Sequence, residues 1–206
     1  MSTIFVFGDS IAYGDWDQEG GWVNRLHKEI NQKVLNSNFE TYGAIYNLGI
    51  PGDTSQEICE RFEQEIKVRI DTTEDTLIYL AVGVNDSQVE LATGSNLVSP
   101  HIFKTNIQLL AYKAKKLSIP LTLIGITPVD ESKVFPMPWK LTHGYKNAEI
   151  IKYNQILKEV AQSEHLSFVD VFSEFIKTEY TDLLLTDGVH PNTQGHQLLF
   201  EVIKFI

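Results

Sequence analysis

Cysteine is nearly absent from this chain: Cys59 is the single one in 206 residues. No disulfide can close within the chain, and no cysteine-paired zinc site can be assembled. Cys59 stands beside Ile58 and near Phe62 in a helical pattern, which marks it as a small packed residue rather than a nucleophile. Long apolar runs are missing too. None approaches the ~20 residues that cross a bilayer, so no integral membrane contact is expected. The first residues, Met1-Ser2-Thr3, lead straight into Ile4-Phe5-Val6-Phe7 with no charged leader or cleavage site, and as written the chain reads as cytoplasmic. Positive charge is scarce: 17 Lys and Arg against 27 Asp and Glu give a formal charge of −10. The densest basic group, Lys113, Lys115 and Lys116, falls late in a predicted helix, where cations complement the dipole. Nucleic acid is therefore a poor partner. Walker A, Gly-x-Gly-x-x-Gly and His-Glu-x-x-His patterns are all missing, so neither a nucleotide, a cofactor nor a metal is indicated. The Gly-x-Ser-x-Gly elbow of another hydrolase class is missing as well.

What is present is the composition of a folded protein, with 43% hydrophobic and 21% charged residues. The length suits one domain over residues 1–206. Short apolar runs at 4–7, 44–48, 77–82, 121–126 and 166–171 read as strands. Helical periodicity fills 22–34, 55–70, 101–117, 147–163 and 192–206, the last with Asn192 as its N-cap and 199, 202, 203 and 206 on its inner stripe. Strand and helix alternate, and the strands are apolar on both faces. The pattern is that of an α/β three-layer sandwich around a five-stranded parallel sheet. One long irregular stretch, 127–146, stands out as a functional loop or a lid.

In an open parallel sheet, ligands gather at the carboxyl ends of the strands. Four polar, glycine-containing turns fall there: Gly8-Asp9-Ser10, Asn47-Leu48-Gly49 running into Ile50-Pro51-Gly52-Asp53-Thr54, Gly83-Val84-Asn85-Asp86, and Asp187-Gly188-Val189-His190. Their chemistry is complementary. Ser10 offers a hydroxyl that needs a base to become a nucleophile. His190 can be that base, since imidazole is the side-chain type suited to exchange protons at neutral pH. Asp187, three residues earlier, is spaced to reach the imidazole Nδ1. The N–H groups of Ser10 and Gly49 and the Asn85 amide are suited to hold a developing oxyanion. Asp9 reads as a structural residue bonding nearby backbone. His143 and His196 have no clear partners and read as a loop residue and a helix-surface residue.

These four blocks, in this order across residues 8–192, resemble those of the SGNH hydrolases, also called the GDSL lipase/esterase family. The resemblance implies a flavodoxin-like sheet and metal-free, cofactor-free cleavage of esters or thioesters through an acyl-enzyme. It implies Ser10 as nucleophile, His190 as base, Asp187 as its orienter, and Ser10, Gly49 and Asn85 as oxyanion donors. The block after the fourth strand departs from the common pattern, because Pro128 stands there without a second proline. A small-molecule, lipid or sugar ester is the expected substrate, and Tyr13 and Trp139 are candidate pocket walls. Two other readings fit the same residues: an acyltransferase passing the acyl group to a sugar or other alcohol, and a flavodoxin-like binding module without catalysis. Nothing in the pattern sets the oligomeric state.

Overall fold

A computed structural model describes residues 2–71 and 73–204. The chain runs β1 (Ser2–Gly8), α1 (Ser10–Tyr13), α2 (Gly21–Asn36), β2 (Gly43–Gly49), α3 (Ser55–Lys67), β3 (Asp75–Ala81), β4 (Val89–Glu90), α4 (Pro100–Lys116) and β5 (Leu121–Ile124). It continues through α5 (Glu131–Val134), β6 (His143–Gly144), α6 (Asn147–Glu164), β7 (Ser167–Val169), α7 (Val171–Phe175), a 3-10 turn (Tyr180–Leu183) and α8 (Thr193–Ile203). Every expected strand and helix is present. The last helix ends at Ile203 with Lys204 as its C-cap, and the expected inner-stripe position 206 lies outside the described residues.

Five strands form one parallel sheet in the order β2-β1-β3-β5-β7. This is the flavodoxin-like arrangement, in which the order reverses beside the first strand. Right-handed crossovers put the helix that leads to β2 on one face and those that lead to β3, β5 and β7 on the other. Accordingly α2 packs with α8, while α3, α4 and α6 form the opposite layer. The central strands are buried on both sides: Phe5, Val6, Phe7, Ile78, Leu80 and Leu123 have no exposed surface. They meet Phe62 from α3, Phe103 and Ile107 from α4, and Tyr153 and Leu157 from α6.

Register decides where the loops emerge. Gly8 lies opposite both Gly49 and Ala81, so β1, β2 and β3 end level. The three segments that follow are thereby delivered to one edge. Side-chain caps fix their exits: Asp9 caps α1 through the Ile11 N–H, as its reading as a backbone-bonding residue required, and Thr54 caps α3 with a capping box to Glu57.

The stretch 127–146 is tied down over much of its length. Its β6 pairs with β4, and the Asp130 N–H donates to Gly188 O at 2.8 Å, joining it to the turn that holds Asp187. Val134, Met137 and Tyr145 are buried, whereas Trp139 and Leu141 are exposed.

His196 departs from expectation. It is fully buried instead of lying on the helix surface. The inward stripe of α8 is 196, 199 and 203, with Val202 only half-buried, because α8 lies against α2. The ring packs beside Gly21, where glycine serves the close approach of Gly14: a Cβ there would stand 2.5 Å from Gly14 Cα but in ordinary contact, 3.5 Å, with His196 Cε1.

Candidate active site

A cleft of about 800 Å³ opens at the edge where β1, β2 and β3 end. Ser10, Asn85, Asp187 and His190 line it. Ser10 is the first residue of α1, directly after the capping Asp9, so the strand-to-helix turn lifts its side chain out of the sheet. Its Oγ lies 2.8 Å from His190 Nε2. On the other side of the ring, His190 Nδ1 lies 2.6 Å from Asp187 Oδ2. Asp187 Oδ1 accepts the N–H groups of Val189 at 2.9 Å and His190 at 3.1 Å, so the turn grips the carboxylate from its own backbone. Burial works against the Asp187 charge, but His190 and these two N–H groups outweigh it and hold the carboxyl below the usual range. An ionised Asp187 fixes the proton of His190 on Nδ1 and leaves Nε2 free to accept from Ser10.

Asn85 is buried and held from three sides. Its Nδ2 donates to Asp53 O at 3.0 Å. Its Oδ1 accepts from Tyr145 Oη at 3.2 Å and from Gln88 Nε2 at 3.2 Å. Gln88 Nε2 also donates to Tyr145 Oη at 2.8 Å, which closes a small network. These bonds assign the amide orientation and leave one of its two N–H donors for the cleft.

Two expected site residues are placed elsewhere. The Gly49 N–H is taken by Asn47 Oδ1 at 3.0 Å, and Gly49 does not line the cleft. Its glycine serves packing: a Cβ there would come within 2.5 Å of Tyr13 N and 2.8 Å of Asp9 O. Gly52 lines the cleft instead. It is the third residue of the turn 50–53, closed by Asp53 N–H to Ile50 O at 3.1 Å, and its φ of 88° with Pro51 before it is that of a type II turn. Among the described residues no acceptor takes its N–H. The Pro-Gly pair was the sequence signal for this. Tyr13 is also away from the cleft. Position 13 ends the single turn of α1 and faces solvent, while Trp16 lines the cleft with its ring against His190. Trp139 lines it as expected.

Two buried carboxyls flank the site. Burial pushes Asp9 up to about 7, against the pull of the Ile11 N–H and of His190. Burial likewise raises Asp86 to about 6, although it accepts the N–H of Ser55 at 3.0 Å and the Ser55 Oγ–H at 2.5 Å. Among the described residues no three His, Cys, Asp or Glu side chains gather as a metal site, and no helix is long and apolar enough to cross a membrane.

The sequence matches the GDSL-like Lipase/Acylhydrolase family over residues 6–198. It is 24% identical over 163 residues to an acetylxylan esterase of Geobacillus stearothermophilus, across 75% of this chain and 68% of that one. In three dimensions it is similar to a lipase/acylhydrolase from Enterococcus faecalis, with a TM-score of 0.78 at 20% identity over 100% of this chain and 94% of that chain. It is also similar to the acetylxylan esterase structure from Geobacillus stearothermophilus, with a TM-score of 0.71 at 20% identity over 97% and 91% of the two chains. The family match runs from β1 into α8 and takes in every residue of the cleft named above, so this chain belongs to the GDSL-like lipase/acylhydrolase family and is an esterase of that family.

Proposed function

We propose that this esterase cleaves its substrate through an acyl-enzyme on Ser10. His190 takes the hydroxyl proton as Ser10 Oγ attacks the ester carbonyl, then returns it to the leaving alcohol. Water then repeats the sequence: His190 takes its proton as the water oxygen bonds to the acyl carbon, the acyl carbon–Ser10 Oγ bond breaks, His190 returns the proton to Oγ, and the acid leaves. The unbroken hydrogen-bond path from Ser10 through His190 to Asp187 is the observation that carries this reading. For the tetrahedral oxyanion we assign the N–H of Ser10, the N–H of Gly52 in place of the expected Gly49, and the free N–H of the Asn85 amide.

The cleft favours a neutral substrate. Among the described residues no Lys or Arg lines it, and Asp15 joins Asp187 on its wall. A polyanionic thioester would meet negative charge there. The flat rings of Trp16 and Trp139 are well exposed, at 67% and 56%, and suit stacking on a ring-bearing alcohol. With the acetylxylan esterase relative, this makes an acetylated saccharide the substrate class of choice. The open mouth also favours water over an alcohol as acyl acceptor, hence hydrolysis over transfer.

The test is labelling and turnover together. A fluorophosphonate is expected to add its mass at Ser10, and Ser10→Ala is expected to abolish p-nitrophenyl acetate hydrolysis. Turnover that survives in Ser10→Ala overturns the mechanism. Acetylated xylosides hydrolysed no faster than p-nitrophenyl acetate overturn the substrate class, and acyl transfer to added alcohols outrunning hydrolysis overturns the choice of acceptor.

A further inference from the structure

One guanidinium touches the ends of β1 and β2, two of the three strands that lead into the proposed oxyanion donors, and the turn that carries Gly52. Arg61 sits in α3, and its Nε donates to Asp53 Oδ2 at 2.8 Å. Its Nη2 donates to Leu48 O at 2.7 Å and lies 3.4 Å from Gly8 O. The guanidinium carbon stands 5.5 Å from the centre of the Phe7 ring. The side chains of Arg61 and Asp53 are only 15% and 10% exposed.

Each contact leads to a donor. Gly8 O belongs to the peptide just before Asp9-Ser10. Leu48 O closes β2 ahead of the turn that carries Gly52. Asp53 follows Gly52, and its own carbonyl holds Asn85 Nδ2 at 3.0 Å. Gly8 O already accepts the Ile50 N–H at 3.1 Å and takes Arg61 as a second, longer donor, so the stronger bonds of the guanidinium are those to Leu48 O and Asp53. A planar fork of five N–H groups meets several such acceptors at fixed angles, which a lysine ammonium on a flexible stem does not.

We infer that Arg61 is a positioning residue of this esterase: through Asp53 and the ends of β1 and β2 it sets the spacing of the Ser10, Gly52 and Asn85 donors. The inference rests on the oxyanion assignment above. Arg61 does not line the cleft, so it acts on the reaction only through those donors.

The experiment compares Arg61→Lys with Asn85→Ala and with the double variant. Arg61→Lys is expected to lower kcat about tenfold to a hundredfold, somewhat less than removal of a whole oxyanion donor, with KM within about twofold. Inhibition by a boronic acid, whose tetrahedral adduct on Ser10 uses the same donors, is expected to weaken by the same factor as kcat. In the Asn85→Ala background the Arg61→Lys loss is expected to shrink several-fold, because the two act through one site. Asp53→Asn, nearly isosteric, is the second variant and is expected to follow the same pattern if Arg61→Lys folds poorly. An equal Arg61→Lys loss in both backgrounds, an unchanged kcat, or boronate affinity that stays put while kcat falls overturns the inference. Failure of the site assignment reads differently: there Asn85→Ala itself leaves kcat unchanged.

Discussion

The indole of Trp16 stands edge to face with the imidazole of His190, ring centroids 4.5 Å apart and planes at 86°. Trp16 is held there by a left-handed backbone, φ 61°, uncommon for a residue with a side chain. Such an aromatic pair contributes about 0.5–1.5 kcal/mol. Trp16→Ala is therefore expected to lower kcat/KM about twofold to tenfold. The melting temperature should barely move, since the ring is mostly exposed. Steady-state kinetics beside a thermal melt check this, and a large loss of stability with unchanged kinetics would contradict it.

Asn85→Ala is expected to reduce kcat by about 10²–10³, the usual effect of losing one oxyanion donor. It also strands Asp53 O and the Tyr145 hydroxyl, which both bond the amide. A stability loss of about 1–3 kcal/mol should accompany it. Tyr145→Phe removes only the hydroxyl, so its kcat is expected to stay within about tenfold of the native value. Chemical denaturation with the same preparations separates the two effects.

The two glycines of the second turn should respond oppositely to alanine. At Gly49 a new Cβ meets backbone atoms at 2.5 and 2.8 Å, which α1 cannot relieve without moving Ser10. Gly49→Ala is expected to lose both stability and activity. At Gly52 nothing among the described residues lies within 4 Å of a new Cβ, and only the φ of 88° resists. Gly52→Ala is expected to cost about 1–2 kcal/mol and to keep its N–H and a measurable kcat. Comparable damage at both positions would contradict this reading of the turn.

Buried His196 makes stability depend on pH. Among the described residues neither ring nitrogen has a hydrogen-bond partner, and burial lowers its pKa from 6.5 to about 4, with Asp17, Arg25 and His190 as nearby charges. The unfolded chain thus takes the proton first. Stability is whole above pH 6.5 and falls as pH drops through 4, by about 3 kcal/mol in all. In His196→Leu this loss should vanish, so the variant gains on the native protein as pH falls through that window. Asp9 has the opposite sign: raised from 3.8 to about 7, it favours the fold below pH 3.8 and withdraws that support as pH rises through 7. Asp9→Asn should accordingly gain on the native protein as pH rises. Melting curves from pH 4 to 8 for the three proteins check both slopes.

The sheet and its long helices were legible because their periodicity is long enough to count: 55–70 repeats its apolar positions in register with what α3 buries, namely Ile58, Phe62 and Ile66, although the helix itself ends at Lys67. The single turns α1, α5 and α7 were not, since four or five residues carry no period. In the site, residue type and position at strand ends led to Ser10, Asn85, Asp187 and His190, and all four line one cleft. The direction of an N–H was beyond reach. Gly49 looked available until Asn47, two residues earlier, folded its side chain back onto it. Tyr13 and Trp16 are three residues apart, yet only the turn after α1 decides which ring reaches His190. His196 was misread because the partner of α8 is α2, a contact that no local pattern records.

The bond between Ser10 and His190 joins positions 180 residues apart in the chain. A polypeptide still being synthesised therefore carries its hydroxyl long before its base. The turn that carries His190 leads into α8, which packs on α2. If His190 is the base proposed above, chains shortened before it are expected to lack ester turnover, and refolding followed by turnover would report when the two ends of the chain meet.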